Sequence, residues 1–155
     1  LREVISAADM LAEDFGVASD IWSVTSFNEL RRGGLDVQRD NLLHPEQDPR
    51  ECHVERRLKE RAGPVVAATD YMRTYANQIR EFIPAGRRYT VLGTDGFGRS
   101  DTRKQLRKFF EVDRYHIVVA ALKTLADEDQ LPRSVVSEAI KRYGIDPEKP
   151  NPVQV

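Results

Sequence analysis

The chain has 155 residues, a size suited to a single domain. Hydrophobic residues make up 40% and charged residues 32%, enough apolar material for one core and too much for a disordered chain. With 24 basic and 25 acidic side chains the net charge is −1, which gives no electrostatic case for nucleic acid or an acidic membrane surface. In chain order, residues 3–15 read as a helix, with Val4, Ala8, Leu11 and Phe15 on one face and Gly16 as a left-handed stop. Ile21 to Thr25 is short and apolar and reads as a buried strand. Ser26 and Glu29 have the spacing of a capping box, and the helix that follows is expected to be short because Arg31-Arg32-Gly33-Gly34 breaks it. Residues 35–63 are less legible. Leu35, Leu42 and Leu43 suggest a turn or two of helix, Pro45 and Pro49 bracket a polar loop, and Val54 and Leu58 suggest a helix over 51–61.

Val65 to Thr69 is the second strand, and Asp70 stands where it could cap a helix over 71–83 with Met72, Tyr75, Ile79, Phe82 and Ile83 on one side. Tyr89 to Gly93 is the third strand. Helices follow over 102–110 and 114–127, the latter capped by Asp113, and a last helix opens near Pro132 and stops at Gly144. From Asp146 onward the three prolines predict an extended tail. Strands alternating with helices argue for α/β architecture, a mostly parallel sheet with helices on both faces. Residues 1–145 read as one domain and 146–155 as its tail. The lone Cys52 rules out an internal disulfide and suits a reducing, cytoplasmic setting.

The stretch from Tyr89 to Asp101 carries the strongest candidate for function. Gly93, Gly96 and Gly98 interrupt a strand-to-helix passage, and Asp95, Arg99, Ser100 and Asp101 surround them. That edge of an α/β sheet is where ligands commonly bind. The glycine spacing is neither G-x-G-x-x-G nor a P-loop. Two readings stay open. Exposed amides and Arg99 could hold an anion. Alternatively the loop is a tight turn, with Arg99 paired to Asp95 or Asp101, and residue types favour this. His44, His53 and His116 have no metal-ligand spacing, and Cys52 and His53, as helix neighbours, point about 100° apart. Trp22 reads as core or interface, and Arg31-Arg32 and Arg56-Arg57 as solvated charge.

Three strings in order add a resemblance. Asp20-Ile-Trp-Ser-Val-Thr-Ser-Phe-Asn-Glu-Leu30, Ala68-Thr-Asp-Tyr-Met72 and Val91-Leu-Gly-Thr-Asp-Gly-Phe-Gly-Arg-Ser-Asp101 resemble the C-terminal domain of the homodimeric, bacterial-type pyruvate dehydrogenases of the transketolase superfamily. Transketolase itself, which shares the domain type, fits the strings less well. The resemblance implies a three-layer transketolase C-terminal-like domain. It implies that the full enzyme decarboxylates pyruvate with thiamine diphosphate and Mg²⁺, bound by domains outside these residues. It implies that the acetyl unit passes to lipoyl groups of a dihydrolipoyl acetyltransferase component. Expected partners are the rest of the polypeptide, a homodimer mate and that acetyltransferase. Nucleic acid and membrane are not among them. No catalytic, cofactor or metal residue carries over onto this segment. The family's first apolar strand, before the helix that matches 3–15, has no counterpart here, and the chain opens instead with Leu1 and a helix.

Overall fold

A computed structural model describes all residues, 1–155. The order is α1 (Arg2–Phe15), α2 (Phe27–Leu43), α3 (His53–Leu58), β1 (Val65–Ala68), α4 (Arg73–Asn77), β2 (Tyr89–Leu92), α5 (Arg103–Phe109), α6 (Arg114–Asp127) and α7 (Arg133–Arg142). Short 3₁₀ turns lie at Arg80–Phe82 and Pro152–Gln154. α1 ends as its sequence dictates. Gly16 adopts φ 64°, and its amide and that of Val17 close onto the Ala12 and Leu11 carbonyls.

The sheet has two strands, not the three expected. β1 and β2 run parallel, with Val65 opposite Tyr89 and Ala68 opposite Leu92. Ile21 to Thr25 forms no strand. Residues 18–25 take part in no backbone–backbone hydrogen bond, and Ile21, Trp22 and Val24 are exposed. A strand exists only through a neighbour that pairs with it, and no neighbour for this segment lies within residues 1–155.

Two further expectations are corrected. α2 is not broken at Arg31–Gly34 but continues for 17 residues. Gly34 is its one buried residue, and a Cβ there would stand 2.4 Å from the Phe82 ring. The glycine serves close approach between helix and aromatic ring, and the helix absorbs its propensity cost of about 1 kcal/mol. The expected 71–83 helix is only α4 and the 3₁₀ turn after it. Met72 stands at the N-cap without a side-chain cap bond, and Asp70 is engaged elsewhere. Met72 and Tyr75 face solvent, while Ile79 and Phe82 are buried. The Ser26 cap is half of a box. Its hydroxyl accepts from the Glu29 amide at 3.2 Å, but the Glu29 carboxylate pairs with Arg32. The complete box lies elsewhere: Cys52 and Glu55 cap α3 reciprocally, with the Cys52 amide donating to Glu55 Oε2 at 2.7 Å.

The strands' alternation divides the interior into two cores. Val65, Ala67, Tyr89 and Val91 face α2, α3 and α4, where they meet Cys52, Val54, Leu58, Ala76, Ile79 and Phe82. Ala68 and Leu92 face α1, α6 and α7, against Ala7, Leu11, Val118, Leu122 and Ala139. Thr90, on this second face, meets Thr124 of α6 at 3.1 Å between hydroxyls. The sheet is the middle of three layers. Both strands deliver their carboxyl ends, and the loops that follow them, to the same edge.

Candidate functional site

At that edge the loop after β1, residues 69–72, and the loop after β2, residues 93–101, are bonded into one unit. The ladder runs one step past the strands, with the Thr69 amide donating to the Leu92 carbonyl at 3.1 Å. The Thr94 amide then donates to the Tyr71 carbonyl at 2.9 Å, and its hydroxyl to the Asp70 carbonyl at 3.1 Å. Asp95 Oδ2 accepts from the Arg73 amide at 3.2 Å and from its guanidinium at 3.0 Å. Gly93 lies against this crossing, because a Cβ would sit 2.7 Å from the Tyr71 carbonyl oxygen and the Arg73 nitrogen. Gly96 has φ 113° and lies under the tail, where a Cβ would stand 2.5 Å from the Pro152 carbonyl oxygen. Around Gly98 there is open space.

The four residues singled out in this loop do not converge. Asp95 bonds Arg73, as above. Arg99 pairs with neither Asp95 nor Asp101; its guanidinium lies 4.9 Å from the Phe109 ring centroid, a cation–π contact. Asp101 accepts from the Thr102 amide at 2.6 Å, and Thr102 caps α5 by accepting from the Gln105 amide. Ser100 is exposed. Lys149 from the tail meets Phe109 too, at 5.2 Å, and bonds its carbonyl and the Glu111 carboxylate. The Pro152–Gln154 turn buries Pro152 beside the loop, so the tail is extended only in part. Of the loop's own amides from Gly93 to Asp101, Thr94 alone is hydrogen-bonded to the protein, and its acidic side chains Asp95 and Asp101 are engaged within the chain.

A charge network that no sequence spacing reveals stands beside the loop. Asp70 receives Arg107 through two nitrogens, at 3.1 and 2.7 Å. Arg107 lies 3.6 Å from Glu3, and Glu3 accepts from the Arg114 guanidinium at 3.0 Å and its amide at 3.1 Å. Hydrogen bonding to Arg107 holds the Asp70 carboxyl below its usual range, and bonding to Arg114 does the same for Glu3. The Glu3 and Arg114 partners are 111 residues apart. At such separation only the fold could bring them together.

The remaining candidates have structural roles. Cys52 is buried and caps α3, and burial raises its thiol pKa, the reverse of nucleophile activation. His116 bonds Asp113 at 2.7 Å through its ring nitrogen, and His44 bonds the Asp40 carbonyl. No three His, Cys, Asp or Glu side chains come within metal-holding reach of one another. Trp22, Arg56, Arg57, Glu60 and Arg61 line a separate open cleft of about 310 Å³ that includes no residue of the glycine loop. No helix is long and apolar enough to cross a membrane.

Residues 1–113, most of the chain and including the whole glycine loop, match the family model described as transketolase-like TK C-terminal domain. The chain belongs to that family. Three relatives called pyruvate dehydrogenase E1 component sharpen the kinship. The protein of Cupriavidus necator is 62% identical over 154 residues, 99% of this chain. That of Pseudomonas aeruginosa is 60% identical over 153 residues, also 99%. That of Escherichia coli K12 is 50% identical over 152 residues, 98% of the chain. The chain spans about 17% of the length of each. The family agrees with the α/β reading and with the resemblance carried by the three strings. The structure supplies what the strings could not, namely that the start of the glycine loop is bonded to the loop after β1.

Proposed function

We propose that these residues are the C-terminal domain of a thiamine-diphosphate-dependent pyruvate dehydrogenase. The full enzyme decarboxylates pyruvate and reductively acetylates lipoyl groups of a dihydrolipoyl acetyltransferase component. It binds thiamine diphosphate and Mg²⁺ through domains outside this segment, and it works as a homodimer in the cytoplasm. Residues 1–145 form the domain, 146–155 its tail, and their part is structural: they stabilise the dimer and do no bond chemistry. The observation that carries this reading is identity of 62% across 99% of the chain with a protein of that name. The bonds that tie the glycine loop to the loop after β1 support the structural half. Asp95 is bonded to Arg73, Arg99 lies on Phe109 and Asp101 bonds the Thr102 amide, contacts within the chain that suit a structural role.

A second reading, a docking module for the acetyltransferase component, is favoured by one observation. Arg99 and Asp101 sit on an exposed part of the loop next to α5, within reach of a partner. Alanine replacements Arg99→Ala and Asp101→Ala in the full-length enzyme separate the readings. The structural role predicts no change in pyruvate decarboxylation with an artificial electron acceptor and none in overall complex activity. Loss of overall activity alone would assign docking, and loss of decarboxylation would overturn the non-catalytic reading.

A further inference from the structure

We infer that the aromatic edge made by Tyr71, Met72, Tyr75 and Phe97 is the seat on which the rest of the same full-length subunit packs; this rests on the reading of the chain as one domain of a longer enzyme. These side chains are 70%, 51%, 42% and 74% exposed. All four lie on the two loops, or the first turn of α4, at the carboxyl edge of the sheet. Large apolar groups gathered at one end of a domain mark an interaction surface.

Three observations choose the occupant. First, the surface is preorganised. The Thr94–Tyr71 and Asp95–Arg73 bonds tie the two loops together, and the Tyr71 and Tyr75 rings stand edge to face at 5.6 Å. A surface already ordered loses little freedom when it is covered. Second, the charges flanking Tyr71 and Tyr75 are neutralised within the chain, while Arg99 and Asp101, beyond Phe97, have no charged partner. Asp95 pairs with Arg73 and Asp70 with Arg107, so covering the edge leaves none of these four without a partner. Transient partners are steered by unpaired complementary charge, which these pairs do not offer, whereas permanent interfaces are the more apolar kind. Third, the chain accounts for about 17% of the length of its relatives, so most of a full-length subunit lies outside it and must contact it somewhere. The charged cleft around Arg56, Arg57 and Arg61 is chemically the better place for a transient acidic partner.

Hydroxyl-radical footprinting of the unmodified full-length enzyme tests this without any substitution, since Tyr, Met and Phe all react when exposed. The expected result is loss of oxidation at all four side chains, with the same four side chains in the urea-unfolded enzyme as the reference. Oxidation of the four at the reference rate would overturn the inference. A photo-crosslinking amino acid at Phe97 then identifies the cover, using mixed isotope-labelled subunits. A crosslink to a peptide outside residues 1–155 of the same subunit is expected. A crosslink to the dimer mate or to added acetyltransferase component would overturn it. Pyruvate decarboxylation of the same preparation is assayed separately. Its absence would remove the proposed enzyme class and leave the footprint standing.

Discussion

Gly33 and Gly34 are adjacent in sequence, and their opposite surroundings separate propensity from packing. No heavy atom lies within 4 Å of a Cβ built at Gly33, while one at Gly34 would stand 2.4 Å from the Phe82 ring. Gly33→Ala is expected to stabilise by about 0.5–1 kcal/mol, the ordinary gain of alanine over glycine inside a helix. Gly34→Ala is expected to destabilise by about 1–3 kcal/mol through overpacking, because Phe82 is itself buried and has nowhere to move. Heat-inactivation midpoints of the two full-length variants should shift in opposite directions; equal shifts would refute the packing argument. Reading the glycine pair as a helix break weighed the propensity of the two residues and could not see the ring across the interface. Gly16 was legible for the complementary reason, since a left-handed stop depends on backbone conformation alone.

At the scale of elements, α3 shows how a six-residue helix is held. The Cys52–Glu55 box closes its start. Its end is closed by one arginine: Arg87 donates to the carbonyls of Leu58 at 2.7 Å, Gly63 at 2.6 Å and Ala62 at 3.3 Å. A planar guanidinium with five donors can satisfy three carbonyls at once, and an ammonium cannot match that fork. Arg87→Ala is expected to cost about 1–3 kcal/mol for the carbonyls left unpaired. Arg87→Lys should recover little of it. Hydrogen exchange over residues 58–65 in the full-length protein should quicken in both variants. Unchanged exchange would show that water replaces the arginine without penalty. The helices whose caps and faces lie in local sequence, α1, α6 and α7, form where periodicity puts them. The failures, at 21–25 and 71–83, are elements whose state depends on a partner: a strand without a neighbour, and a helix whose intended cap, Asp70, is drawn away by Arg107.

For the whole molecule, acid should act through a few carboxylates that tie distant parts of the chain together. Burial disfavours the charged form of Asp113, but bonds from the His116 ring and from the His116 and Tyr115 amides outweigh it and lower its pKa. Glu3 is lowered chiefly by Arg114, which links α1 to α6. For a carboxyl whose folded pKa is depressed, the stabilisation is complete above the unfolded value, about 3.9 for Asp. It is lost as pH falls through the folded value. The full-length protein should therefore lose stability below about pH 4 as these groups protonate. Asp113→Asn keeps a capping side chain on α6 and removes the titration, so its stability should fall less steeply with acid than that of the parent. Parallel acid limbs in urea titrations of parent and variant would remove Asp113 from the account.

By itself the sequence determined the α/β class, most helices, the two paired strands and, through three ordered strings, the family. Each of these follows from local periodicity, cap chemistry or a run of residues long enough to be specific. The candidate loop was legible as a place and not as an arrangement. The tertiary structure alone decided that Asp95 meets Arg73, that Arg99 stacks on Phe109 and that Pro152 closes over Gly96. It alone joined Glu3 to Arg114 and turned Tyr71 and Phe97 outward. Charges and glycines choose partners by distance in space, and when the partners stand 22 or 111 residues apart no spacing along the chain records the choice.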